Sequence, residues 1–249
     1  MKGFIDCHCH ISAEEFDSDI EDVVDNSKKN GLIALVAVAE HAGEFEKIIQ
    51  LSKRFPGFVF PCLGIHPVQG IHPEEQRGVT FQVGLDFTPR IVNSETGKEE
   101  QRRVLIRQAE IAKQLDLPLN VHSRSAGRPT IHLLKEQGVQ KALLHAFDGK
   151  PSVAMEGVKA GYFFSIPPSI IRSQQKQKLV QQLPLEHMCL ETDSPALGPE
   201  KQVRNEPQNI VVAAEYVAKV KGVSLETVME ITKQNALKLF PRLKPFITA

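Results

Sequence analysis

The chain of 249 residues has no tryptophan and only two tyrosines. Stacking on nucleobases would therefore fall to phenylalanines such as Phe147, which favours a backbone-gripping protein over a sequence reader. Cysteine is scarce as well. The four that occur, Cys7, Cys9, Cys62 and Cys189, have neither disulfide-like nor zinc-site spacing and read as small core residues. With no secretory signal, and with Met1 abutting the first strand-like run, the expected setting is a reducing one, cytoplasmic or nuclear. Net charge is absent: 30 basic and 30 acidic residues cancel. That excludes a bulk electrostatic grip on nucleic acid, so any such contact must come from a local patch. No apolar run approaches the roughly 20 residues of a membrane span, and no membrane partner is expected.

What is present is an ordinary globular composition, 41% hydrophobic and 24% charged, long enough for one (β/α)8 barrel. Strand-like and helix-like segments alternate, the signature of a parallel sheet. Strands are expected at the start (from Phe4), at 32–38, 58–64, 79–87, 117–122, 141–147, 161–166 and 187–191. Helices are expected at 17–30, 44–54, 98–115, 130–137, 151–160, 173–183, 203–222 and 225–239. The run 32–38 is continuously apolar, as in a strand buried on both faces. One unit is irregular. Between the third and fourth strands the segment 67–78 is barely long enough for a parallel crossover, and its prolines and glycines oppose a helix.

The chemistry sits at strand ends. In Asp6-Cys7-His8-Cys9-His10, strand alternation would put Asp6, His8 and His10 on one face and the two cysteines on the other. His122, His145 and Asp193 each end a later predicted strand, and in a barrel those carboxyl ends converge on the catalytic face. Each residue alone has a structural explanation; five at one rim point to a metal site. Four imidazoles with a carboxylate suit zinc or another first-row ion, while carboxylate-rich loops suit magnesium or manganese. Arg124, Arg128, Arg172 and Arg204 follow the fifth to eighth strands and form a candidate phosphate patch. In it Arg204 and Asn205 occupy the loops that often bind phosphate in barrels. His66 is a further substrate-side candidate.

The motifs Asp6-Cys7-His8-Cys9-His10, Gly64-Ile65-His66-Pro67, Val83-Gly84-Leu85-Asp86, Val121-His122-Ser123-Arg124, His145-Ala146-Phe147-Asp148-Gly149, Glu191-Thr192-Asp193-Ser194-Pro195, Arg204-Asn205-Glu206-Pro207 and Asn235-Ala236 together resemble the TatD-related metal-dependent deoxyribonucleases, within the amidohydrolase-like barrel superfamily. The resemblance covers nearly the whole chain. It implies an α/β fold, a single (β/α)8 TIM barrel over 1–249, and a hydrolase that cleaves DNA phosphodiesters, acting from an end. It also implies two divalent ions (zinc, magnesium or manganese), the first on His8, His10 and Asp193, the second on His122 and His145. Asp193 would then be both ligand and proton acceptor for the attacking water. No organic cofactor is implied, and a monomer is expected. Two alternatives stand beside this: a small-molecule amidohydrolase or lactonase on the same barrel, and a catalytically impaired variant. The second arises because the family carries a bridging glutamate in a stretch like Gly-Glu-Val-Gly-Leu-Asp. This chain has Phe81-Gln82-Val83-Gly84-Leu85-Asp86. A neutral amide binds cations weakly. The short third unit and Gln82 together suggest an internal deletion before Gln82, with Glu40 or Asp86 as possible replacement ligands.

Overall fold

A computed structural model of the chain describes residues 1–64, 66 and 81–247. Eight parallel strands form one sheet: β1 (Phe4–Cys9), β2 (Leu32–Val38), β3 (Val59–Cys62), β4 (Phe81–Gly84), β5 (Leu119–His122), β6 (Ala142–Leu144), β7 (Phe163–Ile166) and β8 (Met188–Leu190). Their spatial order is β3-β2-β1-β8-β7-β6-β5-β4. The sheet is strongly curled. β1 and β5 stand four places apart, which on a flat sheet is about 19 Å. Yet the His8 ring bonds Asn120 at 2.8 Å. Only a barrel brings those side chains together.

The helices are α1 (Ile20–Lys29), α2 (Phe45–Arg54), α3 (Glu95–Gln114), α4 (Gly127–Glu136), α5 (Pro151–Lys159), α6 (Gln174–Gln182), α7 (Ile210–Lys221), α8 (Leu225–Leu239) and α9 (Lys244–Ile247). Their starts follow local chemistry. Ser94, Ser173 and Ser224 each accept a backbone N–H of the first turn of α3, α6 and α8, which satisfies a donor with no partner inside the helix. The apolar stripe of each helix packs on the barrel in one extended cluster, for example Val23 and Val24 of α1, Ile48 of α2 and Leu105 and Ala109 of α3. A second cluster joins Ile5, Cys7, Val36, Cys62, Leu143 and Cys189 to Leu239, Phe240 and Ile247 of the C-terminal segment.

Three expectations shift. Helix α7 begins at Ile210 rather than near residue 203, because the preceding stretch forms a loop fastened by Asn205. The short α9 is an addition. Strict alternation in β1 also fails: a register irregularity between Asp6 and Cys9 sends Cys7 into the smaller cluster with Cys189 and Cys9 into the larger one. The unusual crossover, 67–78, lies outside the described residues. Among the described residues β3 and β4 share no ladder; they meet at a seam instead. A Cβ on Gly64 would lie 2.3 Å from the Gln82 backbone nitrogen, so only glycine permits this approach. Gly84 is equally constrained, with a φ of +147° and the His122 carbonyl 2.0 Å from where its Cβ would sit.

Candidate metal centre

The structure draws the strand-end residues into one buried group. The loop after β8 is zipped to β1 by Asp193 N–H donating to the His8 carbonyl at 2.9 Å and His10 N–H to the Ser194 carbonyl at 2.8 Å. Asp193 itself holds a left-handed backbone, φ +54°, a conformation that non-glycine residues adopt at a cost. Asn205 helps to fix it: its amide donates to the Thr192 carbonyl at 2.8 Å and the Ala196 carbonyl at 2.7 Å.

Three donor atoms converge there. Nε2 of His8 lies 3.4 Å, and Nε2 of His10 3.3 Å, from Asp193 Oδ1, and the two Nε2 atoms are 3.2 Å apart. The far ring nitrogens set the tautomers. His8 Nδ1–H donates to Asn120 Oδ1 at 2.8 Å, and His10 Nδ1–H to the Val38 carbonyl at 3.2 Å. Each Nε2 lone pair is thereby aimed inward, as a metal ligand requires. Asn120 is itself anchored, donating to the Cys7 carbonyl at 2.8 Å. Burial alone would raise the Asp193 carboxyl, but the His10 and His8 rings beside it overcome this and hold it well below the usual carboxylate range, while His10, against its own burial, is raised in turn by Asp193. A carboxylate with two imidazoles is a chemically sound donor set for a divalent ion, which takes the place of any proton on Nε2.

His122 and His145 form a neighbouring pair. Nδ1 of His122 faces Nε2 of His145 at 3.0 Å. Behind His122, Nε2–H donates to Asp86 Oδ2 at 3.1 Å. Asp86 therefore orients His122 from the far side instead of joining it as a ligand. Burial would raise this carboxyl, yet its bonds to His122 and Thr88 depress it strongly. Behind His145, Nδ1 stands 3.8 Å from Glu191 Oε2, an oxygen that accepts the Ser165 hydroxyl at 2.5 Å. His145 is also stacked on His8, with centroids 3.6 Å apart and planes 4° from parallel. One further triplet, His8, His145 and Glu191, places one donor atom each within 4.8 Å.

Gln82 stands on β4 in register with Asn120. It is fully buried, and among the described residues neither atom of its amide has a hydrogen-bond partner, an expensive state for a polar group.

The substrate-side candidates divide. The His66 ring meets His122 edge-on, centroids 4.4 Å apart, and burial followed by repulsion from His122 pushes it down to about 2. Arg124 is exposed after β5, and among the described residues it carries no ion pair. Arg204 is occupied: it bonds Asp19 through both terminal nitrogens (3.0 and 2.6 Å), Glu206 at 2.7 Å and the Glu15 carbonyl at 2.6 Å. Asn205 is buried with its amide spent on the Asp193 loop. Both residues brace that loop, Asn205 through its amide and Arg204 through both terminal nitrogens. Arg128 pairs with Glu156, and Arg172 donates to the Gly198 carbonyl. Phe147 is buried against Phe164 and offers no face to a base.

Sequence reasoning missed several supports. Asn120 was legible by period, two residues before His122 on the same strand face. Glu191 was equally so, two before Asp193. Lys176 was not, since nothing in α6 marks it. Its buried ammonium donates to the Ala146 carbonyl at 2.6 Å, next to His145, where Ala146 has φ +44°.

An eight-stranded parallel barrel with imidazoles and a carboxylate gathered at its carboxyl-end loops is the architecture of a metal-dependent hydrolase. Comparison with known proteins narrows this: the TatD related DNase model matches residues 5–241, and the chain belongs to that family. Deoxyribonuclease TATDN3 of Homo sapiens is 65% identical over 263 residues, covering 97% of this chain and 96% of that protein. That span exceeds the 249 residues of the chain, so the alignment opens gaps in it where the human protein has additional residues. An uncharacterized metal-dependent hydrolase of Bacillus subtilis, YabD, is 28% identical over 254 residues, covering 94% and 98%. Among solved structures, a TatD homolog from Escherichia coli superposes with a TM-score of 0.84 at 22% identity, covering 95% of this chain and 97% of that one.

Proposed function

We propose that this chain hydrolyses DNA phosphodiester bonds, with a divalent ion at His8, His10 and Asp193. The observation that carries the reading is the convergence of two correctly tautomerised Nε2 atoms on one ionised carboxylate oxygen, in a member of a DNase family. When bound, such an ion polarises a phosphoryl oxygen and acidifies a water molecule. Asp193 does double duty. Both its histidine contacts fall on Oδ1, which leaves Oδ2 to accept the proton from the attacking water. Asn120 and the Val38 carbonyl hold His8 and His10 in the ligating tautomer. Asn205 and Arg204 keep the Asp193 loop in place. Arg124 supplies the positive charge for a substrate phosphate, and His66 lines the approach to His122 as a neutral ring.

The resemblance implies a second ion at His122 and His145. Among the described residues those two nitrogens have no carboxylate between them, and Gln82 cannot supply one, so no step is assigned to that position. We place the protein in the cytoplasm or nucleus as a monomer. Its four cysteines are buried and free, as a reducing setting favours. Among the described residues no helix is long and apolar enough to cross a membrane.

The test is cleavage of end-labelled DNA by the purified chain after chelation and return of manganese, magnesium or zinc. Cleavage that requires added metal and disappears in Asp193→Asn, with a folded circular dichroism spectrum, is the expected result. Metal-independent cleavage, or turnover of amide and lactone panels alone, overturns it.

A further inference from the structure

We infer that this protein holds a single metal ion at His8, His10 and Asp193, and that the His122–His145 pair is a half-site that stays empty when the first is full. The inference rests on the metal-hydrolase reading above and specifies the metal content of that site.

The argument is one of counting lone pairs. His8 takes part in both three-donor groups among the described residues: with His10 and Asp193, and with His145 and Glu191. Its Nδ1 is committed to Asn120 at 2.8 Å, so Nε2 is its one remaining donor, and that lone pair serves one ion. The two groups are therefore alternatives, not a pair. The first has the better claim. Its three atoms, a carboxylate oxygen among them, lie within 3.4 Å of one another. In the second, the carboxylate approaches Nδ1 of His145 at 3.8 Å, whereas the nitrogen facing His122 is Nε2.

His122 and His145 still point two nitrogens at each other, Nδ1 and Nε2, at 3.0 Å. Each far side is backed by a carboxylate, Asp86 and Glu191, so neither is free to swing in front without giving up its present partner. Two imidazoles do not complete a tetrahedral or octahedral set, nor do they offset a dication's charge beside an occupied neighbour. On the neighbouring strand, two residues before the register partner of His122, stands Gln82. It shares the register and face of Asn120, and its amide is buried without a partner among the described residues. A carboxylate of the same shape would supply the missing negative donor; the neutral amide supplies none.

The test is manganese binding to the full-length, metal-stripped chain, followed by equilibrium dialysis with elemental analysis and by electron paramagnetic resonance. Circular dichroism on every variant establishes folding. The native chain is expected to bind one ion with an uncoupled signal, His10→Ala to bind none, and His122→Ala to keep the one. Gln82→Glu is expected to double the content and to show an exchange-coupled pair. Two ions in the native chain overturn the inference, as does loss of the ion in His122→Ala with retention in His10→Ala. A folded Gln82→Glu chain that stays at one ion removes Gln82 as the cause and overturns it also. None of these readings involves DNA. A one-ion chain that fails to cleave DNA sinks the proposed function and leaves the stoichiometry standing, and a two-ion chain that cleaves does the reverse.

Discussion

At the scale of single residues, the site runs on buried groups whose protonation is set by their surroundings. Asp6 shows this most plainly. It is fully buried, accepting the Thr192 hydroxyl at 2.5 Å, the Thr192 N–H at 3.0 Å and the His8 N–H at 3.2 Å. Burial outweighs these bonds and pushes its carboxyl up to about 7, from an ordinary 3.8. The folded chain keeps that proton where the unfolded chain has released it. Stability from this group is therefore full below about pH 4 and is lost as pH rises towards 7, a change on the order of 4 kcal/mol. Burial works oppositely on His8 and His145, whose ring pKa values are lowered. Their contribution grows as pH rises through the ordinary histidine range, so the total curve blends both slopes. Asp6→Asn isolates one of them. In urea unfolding of the metal-free protein, the variant is expected to gain on the native chain steadily between about pH 4 and 7, then to run parallel. A native-minus-variant difference that stays flat over that window would mean that Asp6 is ionised throughout.

At the scale of elements, the strand ends are sharp because side chains from other elements hold the turns that leave them. The turn after β6 has Ala146 in a left-handed conformation, which costs an alanine about 1–2 kcal/mol. Lys176, reaching from α6, holds its carbonyl. Ala146→Gly should relieve that strain, raising stability by about 1 kcal/mol and the melting temperature by about 2–4 °C. In a Lys176→Met background the carbonyl is released and the alanine can relax, so the same substitution should gain little. Equal gains in both backgrounds, measured by thermal melts, would remove Lys176 as the clasp. The legibility of the molecule divides along this line. Period-two and period-3.6 patterns locate every strand and eight helices, because burial against the barrel is written into consecutive residues. They also locate His8, His10, His122, His145 and Asp193, since each closes an apolar run. The clasp by Lys176, the loop staple by Asn205 and the pinning of Arg204 by Asp19 were not legible. Each joins residues far apart in sequence, and a residue's type does not say which carbonyl or carboxylate it will meet. For that reason the spacing that suggested a phosphate patch carried no sign that Arg204 pairs with Asp19 and Glu206.

At the scale of the whole molecule, charge decides how DNA can be held. The chain carries no net charge, and the folded arrangement spends most of the cationic groups near the site on its own acids and carbonyls: Arg128 on Glu156, Arg172 on the Gly198 carbonyl, Arg204 on Asp19 and Glu206. Among the described residues, Arg124 is the basic group of that patch whose side chain has neither an ion pair nor a carbonyl partner. Each phosphate neutralised by a lysine or arginine contributes about −0.9 to the slope of log K against log salt on duplex DNA. A surface offering one or two such contacts should give a slope no steeper than about −2. Affinity should then depend chiefly on the loaded metal centre, so chelation is expected to abolish binding rather than weaken it. Fluorescence anisotropy with a phosphorothioate duplex, which resists cleavage, reads both quantities across a salt series with and without metal. A slope near −5, or undiminished binding after chelation, would mean that the arginines leave their acidic partners to grip the backbone. The protein would then hold DNA by its surface. The shallow slope instead describes an enzyme that captures a phosphodiester by the ion that activates it, and releases the product as soon as that single contact is lost.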